Sequence, residues 1–400
     1  MHPLFMEEPA ILLLLFALLV VPRALQRLKI PAPITSLALG LAAVLAWGDR
    51  AHDDIVTLLS TIGISSLFLF AGLEVDLAAL RRCLRHLATH LAIRVGTVAI
   101  TAWVAWRFAG LQWQAAALVA LALWTPSTGF ILDTLERLGL EEEERFWVTS
   151  KAIVGELLAL AALFFLLQGG EPSQLALSSA AMLGLVVGLP LLFLALGRWV
   201  VPHAPGSEFS LLVMVGLVAA YATYKLGVYY LVGAFIAGLT ARLLQVRMPT
   251  LASTGNLHAL RLFATFFVPF YFFHAGTGIP REALGPTALL LGLGLTAVLV
   301  PLRIAVVWLQ RRLLLGRRDG SNLRVAIALA PTLVFTLVIA EILHARFGLP
   351  DAIFGALILY TVLNTMLPSL VLRQPFDIDP HVSEHPHPDD KLGERLPRRA

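Results

Sequence analysis

The chain has 400 residues, of which 58% are hydrophobic and 14% charged, and a formal net charge of +4. Soluble domains carry roughly 45–50% apolar and about 25% charged residues, so this composition excludes a soluble enzyme, a disordered chain and a nucleic-acid-binding domain. In so apolar a chain the surplus of Lys and Arg reads as the positive-inside bias of membrane proteins, and the lone Cys83 leaves no intramolecular disulfide and no Cys-based metal site.

The first apolar run, Ala10–Val21, is extendable to Leu25 and follows Pro9 and the acidic pair Glu7–Glu8. A signal peptide has a basic leader and a small-residue cleavage site instead, so a retained first helix is expected. Further runs lie at Ile34–Trp47, Ile55–Leu77, Leu87–Ala109, Trp113–Leu135, Phe146–Gln168, Leu177–Val201, Phe209–Leu226, Tyr229–Leu244, Leu257–Ile279, Pro286–Leu309, Leu323–Leu343 and Ala352–Leu372. The breaks between them carry loop signals: Gly169–Gly170 with Pro172, Pro202 with Pro205, Pro280, and Gly316 through Gly320. Each spanning helix takes about 20 residues, so thirteen spans fill residues 1–372. No room is expected for a soluble catalytic, ATP-binding or regulatory domain. The remainder, 373–400, is polar and Pro-rich with His381, His385 and His387, and reads as a disordered cytoplasmic tail.

Charge sets the orientation. With the N-terminus outside, the cytoplasmic ends hold Arg23/Arg27/Lys29, Arg81/Arg82/Arg85, Arg137/Arg145, Arg198, Arg242/Arg247/Arg261 and Arg311/Arg312/Arg317/Arg318/Arg324. The opposite side holds little more than Arg50, Arg107, Lys225, Arg281 and Arg346. That alternation supports thirteen spans, an external N-terminus, a cytoplasmic C-terminus and residence in the cell inner (plasma) membrane.

Most charges sit at segment ends. Glu74, Asp76 and Asp133 lie near inner ends, and Arg94 is close enough to one to snorkel. Glu156 and Arg303 are deep inside apolar runs, where lipid exposure costs a few kcal/mol on insertion scales. Both are therefore expected to face protein or water. One reading is a structural ion pair; the other, favoured here, is an ion- or proton-binding carboxylate with a basic charge partner. Glu341, in the outer half of the twelfth segment, is a secondary candidate, with structural and functional readings evenly weighed.

Two segments carry backbone breakers. Thr125-Pro126-Ser127-Thr128-Gly129 interrupts the fifth, because Pro126 removes a helical hydrogen bond and disfavours helix at Thr125, while Gly129 loosens the next turn. Ala330-Pro331-Thr332 interrupts the twelfth. Paired, interrupted segments in inverted halves point to the midplane site of a secondary transporter. The hydroxyls of Thr125, Ser127, Thr128 and Thr332 are candidate cation ligands, since hard cations prefer oxygen. Gly233-Ala234-Phe235-Ile236-Ala237-Gly238 spaces small residues for close helix packing. No nucleotide-binding loop, transition-metal ligand set or nucleophile–base pair is visible, so neither an enzyme nor a cofactor is expected.

These residues resemble the monovalent cation:proton antiporter-2 family, of bacterial sodium/proton exchanger and potassium efflux type. The resemblance rests on Leu67-Phe68-Leu69-Phe70-Ala71-Gly72-Leu73-Glu74-Val75-Asp76, Thr125-Pro126-Ser127-Thr128, Val232 to Gly238, and Pro269-Phe270-Tyr271-Phe272-Phe273 with Gly276 and Gly278, in family order. It implies an all-α polytopic membrane protein of about 13 transmembrane helices, with inverted repeats and two crossed broken helices. It also implies core helices at about 87–168 and 286–372, dimer or scaffold helices at about 10–77 and 209–279, and a linker helix at about 177–201. The implied activity is exchange of Na⁺ or K⁺ for protons, electroneutral, by elevator-like alternating access, in a homodimer embedded in lipid. A sodium-coupled organic anion transporter of the same fold is the alternative. Glu156 matches the family's carrier position, usually Asp, with Gly155 where an acid or amide often stands, and Arg303 matches its basic residue. The Arg-Gly-Glu-like segment frequent at the second break is replaced by Ala330-Pro331-Thr332, and the soluble nucleotide-binding domain of many potassium efflux relatives is missing.

Overall fold

The computed structural model describes residues 8–48, 54–168, 172–227, 229–245, 247–248, 253–315 and 320–372, and among them the regular structure is helical. In chain order come α1 (Glu8–Leu25), α2 (Ala32–Trp47), α3 (Asp54–Leu73), the short α4 (Leu77–Arg82) and α5 (Leu84–Phe108). An interrupted pair follows, α6 (Trp113–Trp124) and α7 (Thr128–Thr134), then α8 (Glu142–Gln168), α9 (Pro172–Trp199), α10 (Glu208–Lys225), α11 (Tyr230–Leu243), α12 (Thr254–Thr277) and α13 (Pro286–Leu315). A second interrupted pair, α14 (Ser321–Ala328) and α15 (Leu333–Phe347), precedes α16 (Asp351–Val371). Each of the thirteen apolar runs coincides with a helix or an interrupted pair, and the two breaks fall at Pro126 and Pro331. Among the described residues, ten helical segments are long and apolar enough to cross a membrane, and α2 and α11 are shorter apolar helices. The second run begins earlier than predicted, at Ala32, because Pro33 is tolerated in a first helical turn. The His-bearing tail lies outside the described residues.

Small residues decide how the helices meet. A Cβ on Gly72 of α3 would strike the Phe235 carbonyl of α11, and one on Gly238 of α11 would strike the Leu69 carbonyl of α3. Gly40 of α2 and Gly276 of α12 oppose the Phe273 and Leu37 carbonyls in the same way. These contacts hold α2, α3, α11 and α12 backbone to backbone, with α10 against α11. A second group packs around the interrupted pairs: α5 on α6, α15 on α6 and α16, and α13 on α14 and α16. The two groups meet where Leu67 of α3 lies under Gly129 of α7 and Phe68 of α3 tilts against Phe335 of α15, ring centroids 6.0 Å apart.

The interrupted pairs run in opposite directions. Arg324, in the first turn of α14, pairs with Glu144 of α8 at 3.2 Å and donates to the Gly139 carbonyl just beyond α7. The end of α7 and the start of α14 therefore share one face of the bundle. The start of α6 and the end of α15 share the other.

Candidate functional site

Pro126 has no N–H and Thr125 is extended (φ −79°, ψ 122°), so α6 stops at Trp124 and leaves its last carbonyls without helical donors. The crossing supplies replacements from the other pair. Ser127 N–H donates to the Pro331 carbonyl at 2.9 Å, and Thr336 Oγ1 donates to the Ala122 carbonyl at 2.8 Å. Val334 N–H is 3.4 Å from Ser127 Oγ. The two breaks thus repair each other, so either proline alone would have left buried groups unpaired.

The broken ends that carry surplus carbonyls each meet a guanidinium. Arg94 of α5 donates to the Trp124 carbonyl at the end of α6. Arg303 of α13 donates to the Leu329 carbonyl beyond α14 at 3.3 Å and to the Tyr360 hydroxyl at 2.9 Å. Tyr360 passes the link on, donating to the Leu123 carbonyl at 2.7 Å. Cations at helix C-termini neutralise the negative end of the helix dipole. Arg94 therefore does not snorkel as expected. It is 7% exposed and turns inward, because the carbonyl orphaned at the break is a stronger demand than the distant interface. Arg303 has the Tyr360 and Leu329 contacts rather than an ion pair with Glu156 among the described residues.

At the start of α15 every oxygen is engaged. The Thr332 N–H donates to Asn364 Oδ1 at 3.2 Å. The Thr332 hydroxyl lies 3.1 Å from Thr361 Oγ1, 2.7 Å from Thr336 Oγ1 and 3.0 Å from Asn364 Nδ2. At the start of α7 the situation is the reverse. Glu156 of α8 is 0% exposed, and Thr128 turns its hydroxyl and backbone N–H toward the carboxyl. Yet among the described residues neither Glu156 oxygen nor the Thr128 hydroxyl completes a hydrogen bond. Thr125 and Ser127 are buried at the same break. Gly155 is small for a reason: a Cβ there would lie 3.2 Å from Pro126 Cδ and 3.8 Å from the Arg94 guanidinium carbon.

A cavity of about 740 Å³ approaches this break. Gly129, Phe130 and Asp133 of α7 line it, with Leu67 and Phe70 of α3 and Arg261 of α12. It opens on the face shared by the ends of α7 and the start of α14. Arg261 pairs there with Glu136 at 2.8 Å and donates to the Asp133 carbonyl at 3.3 Å. Glu74, just past α3, lies near Arg242 and Arg261; burial pushes its carboxyl above the usual carboxylate range against the pull of both cations. Glu341 is remote from the crossing and accepts from the Tyr229 hydroxyl at 3.0 Å.

Several site residues escaped the sequence reading. Tyr360, Thr361 and Asn364 look like ordinary members of an apolar run until the fold brings α16 against the second break. Lys151 donates to Gln310 Oε1 at 2.7 Å, and His90 Nδ1 lies 2.9 Å from the same oxygen. Their signal was present, as polar residues inside apolar segments, but only packing separates a buried amine from one that reaches the interface.

Two antiparallel interrupted helices, crossed at buried polar groups inside an apolar bundle, define a multi-pass membrane transporter and not an enzyme. The chain matches the family described as sodium/hydrogen exchanger, transmembrane, over residues 11–376. It belongs to that family, and hence to the monovalent cation:proton antiporters. It is similar to the Na⁺/H⁺-K⁺ antiporter GerN of Bacillus cereus, 23% identical over 377 residues that cover 88% of this chain and 91% of that protein. Among solved structures it resembles the sodium proton antiporter MjNhaP1 of Methanocaldococcus jannaschii at pH 8, with a TM-score of 0.62 and 16% identity over 92% of this chain and 96% of that one. An electron-microscopy structure of MjNhaP1 gives a TM-score of 0.60 at 17% identity over the same shares. At that identity the likeness is one of fold.

Proposed function

We propose that this protein exchanges Na⁺ or K⁺ for protons one for one, with Glu156 as the shared carrier. The observation that carries this reading is the fully buried Glu156 carboxyl, which has the Thr128 hydroxyl and N–H turned toward it but no completed hydrogen bond and no ion pair among the described residues. A buried carboxylate without partners is costly. A proton or a bare cation relieves that cost, and the two compete for the same oxygens. Thr128 supplies the adjacent oxygen; Thr125, Ser127 and Thr332 complete the polar wall of the crossing. One titrating carboxylate at the crossing favours electroneutral exchange. Both ions named for GerN are monovalent cations that such oxygen ligands accept.

Arg303 acts here through the backbone. It ties the end of α14 to Tyr360 and thence to α6, keeping the broken ends aligned while Glu156 changes partners. The core of this reading is the group around the interrupted pairs (about 87–168 and 286–372), moving against the scaffold (about 10–77 and 209–279) in elevator fashion, with 177–201 as linker. The backbone-to-backbone glycine contacts within the scaffold and the side-chain contacts between the groups support that division. The cavity ends near Thr128 on the Arg-rich face, which the positive-inside rule makes cytoplasmic. The N-terminus is then external and the C-terminus cytoplasmic in the plasma membrane, and two copies assemble through their scaffolds.

The test is a proteoliposome assay with a pH-sensitive dye and a panel of monovalent cations. Glu156→Gln is expected to move no protons on cation addition while still eluting as folded protein. Wild-type rates in that variant would sink the assignment.

A further inference from the structure

A second polar cluster joins the two helix groups on the face opposite the cavity. Glu341 projects from α15 eight residues past Leu333, about 12 Å along the axis from the break at 1.5 Å per residue. It lies in the half of the bundle where α6 starts and α15 ends, away from Asp133 and Arg261. It is the exposed position in a stretch of α15 that is otherwise buried from Leu333 to Leu343. A carboxylate at that depth faces protein or water and not lipid. One tyrosine of the scaffold contacts it and a second lies nearby. Tyr229, at the start of α11, donates its hydroxyl to Glu341 Oε2 at 3.0 Å. Tyr271 of α12 is 4% exposed, lies within electrostatic range of Glu341, and its hydroxyl has no hydrogen-bond partner among the described residues. Arg346, further along α15, donates to the Gly227 carbonyl at 3.4 Å and so anchors the loop that carries Tyr229.

We infer that Glu341, Tyr229 and Tyr271 form a second cation station, which receives a monovalent cation from the face opposite the large cavity before it reaches Glu156. The cluster has what a desolvating cation needs: one carboxylate, a phenolic oxygen already on it, and a buried phenolic oxygen with free lone pairs. Glu341 belongs to the core group and both tyrosines to the scaffold, so movement of one group past the other assembles or opens the station. Occupancy is then linked to which face is accessible. In this structure the Tyr229–Glu341 contact spans the two groups while the large cavity lies on the opposite face.

This inference rests on the exchange reading, and the experiment separates the two. Everted and right-side-out vesicles are prepared from host cells lacking their own exchangers, and proton movement is followed while Na⁺ or K⁺ chloride is added outside. Glu341→Gln is expected to raise the half-saturating cation concentration about fivefold or more when the cation is added on the Glu341 face, the loss of roughly one charged contact. The same variant should stay near wild type when the cation is added on the cavity face. Tyr271→Phe removes a hydroxyl that holds nothing in the fold, so it should keep full expression and shift the same face in the same direction, by less. Equal shifts on both faces, or none on either with wild-type exchange intact, overturn the second station alone. Wild-type vesicles that move no protons overturn the exchange reading and the station with it.

Discussion

The two halves of the crossing are built alike and finished differently. In each, a proline stops a half-helix, an arginine from the preceding helix covers the exposed carbonyls, and the following helix presents a polar side chain to the start of the next half-helix. After the first break that side chain is Glu156, which completes no hydrogen bond among the described residues; after the second it is Asn364, bonded to Thr332 through both its amide oxygen and nitrogen. The lesson is one of unequal satisfaction. A neutral amide among four threonine hydroxyls closes its own network and holds position. A carboxyl denied such partners is left for a mobile cation or a proton. The proposed exchange lives in that difference.

The sharpest way to break the comparison is to neutralise its charged side. Glu156→Gln makes the two halves chemically alike, and cation-dependent proton movement in proteoliposomes should fall to that of empty liposomes. The next largest effect is expected from Arg303→Met, which removes charged donors from both Leu329 and Tyr360; loss of hydrogen bonds of about 1.5–3 kcal/mol each should lower the detergent melting temperature and slow exchange together. Breaking the neutral side, Asn364→Ala leaves the Thr332 N–H buried and unpaired at a cost of about 1–3 kcal/mol. Melting should report that loss, with the half-saturating cation concentration changing less than in the Thr128 variant that follows. Thr128→Val removes the oxygen beside Glu156 while preserving shape. Because that hydroxyl completes no hydrogen bond among the described residues, stability should hold and the half-saturating cation concentration should rise about fivefold, the equivalent of roughly 1 kcal/mol.

Much of the architecture was legible without coordinates. Thirteen apolar runs, the positions of Pro126 and Pro331, and the packing role of the Gly233–Gly238 stretch are local properties, set by hydropathy, by the missing proline N–H and by side-chain size. The motif residues in family order imply the fold class. Arg94 shows where that reading ends. Its distance from a segment boundary suggests a snorkelling side chain, yet the nearest unsatisfied carbonyl belongs to a helix thirty residues on, and sequence spacing has no access to that. Arg303 shows the same limit: two buried opposite charges admit a structural pair as one reading, whereas Leu329 and Tyr360 offer oxygens that hold the guanidinium at the helix ends.

The sequence by itself determined that this is a membrane chain of crossed, interrupted helices with few charges at depth, because water–lipid partitioning and backbone hydrogen bonding act residue by residue. Tertiary structure alone decided which buried polar groups are satisfied. Satisfaction depends on what the opposite half of the chain brings within 3 Å, and by that measure Asn364 became a fastener, Arg94 a cap, and Glu156 the group left open.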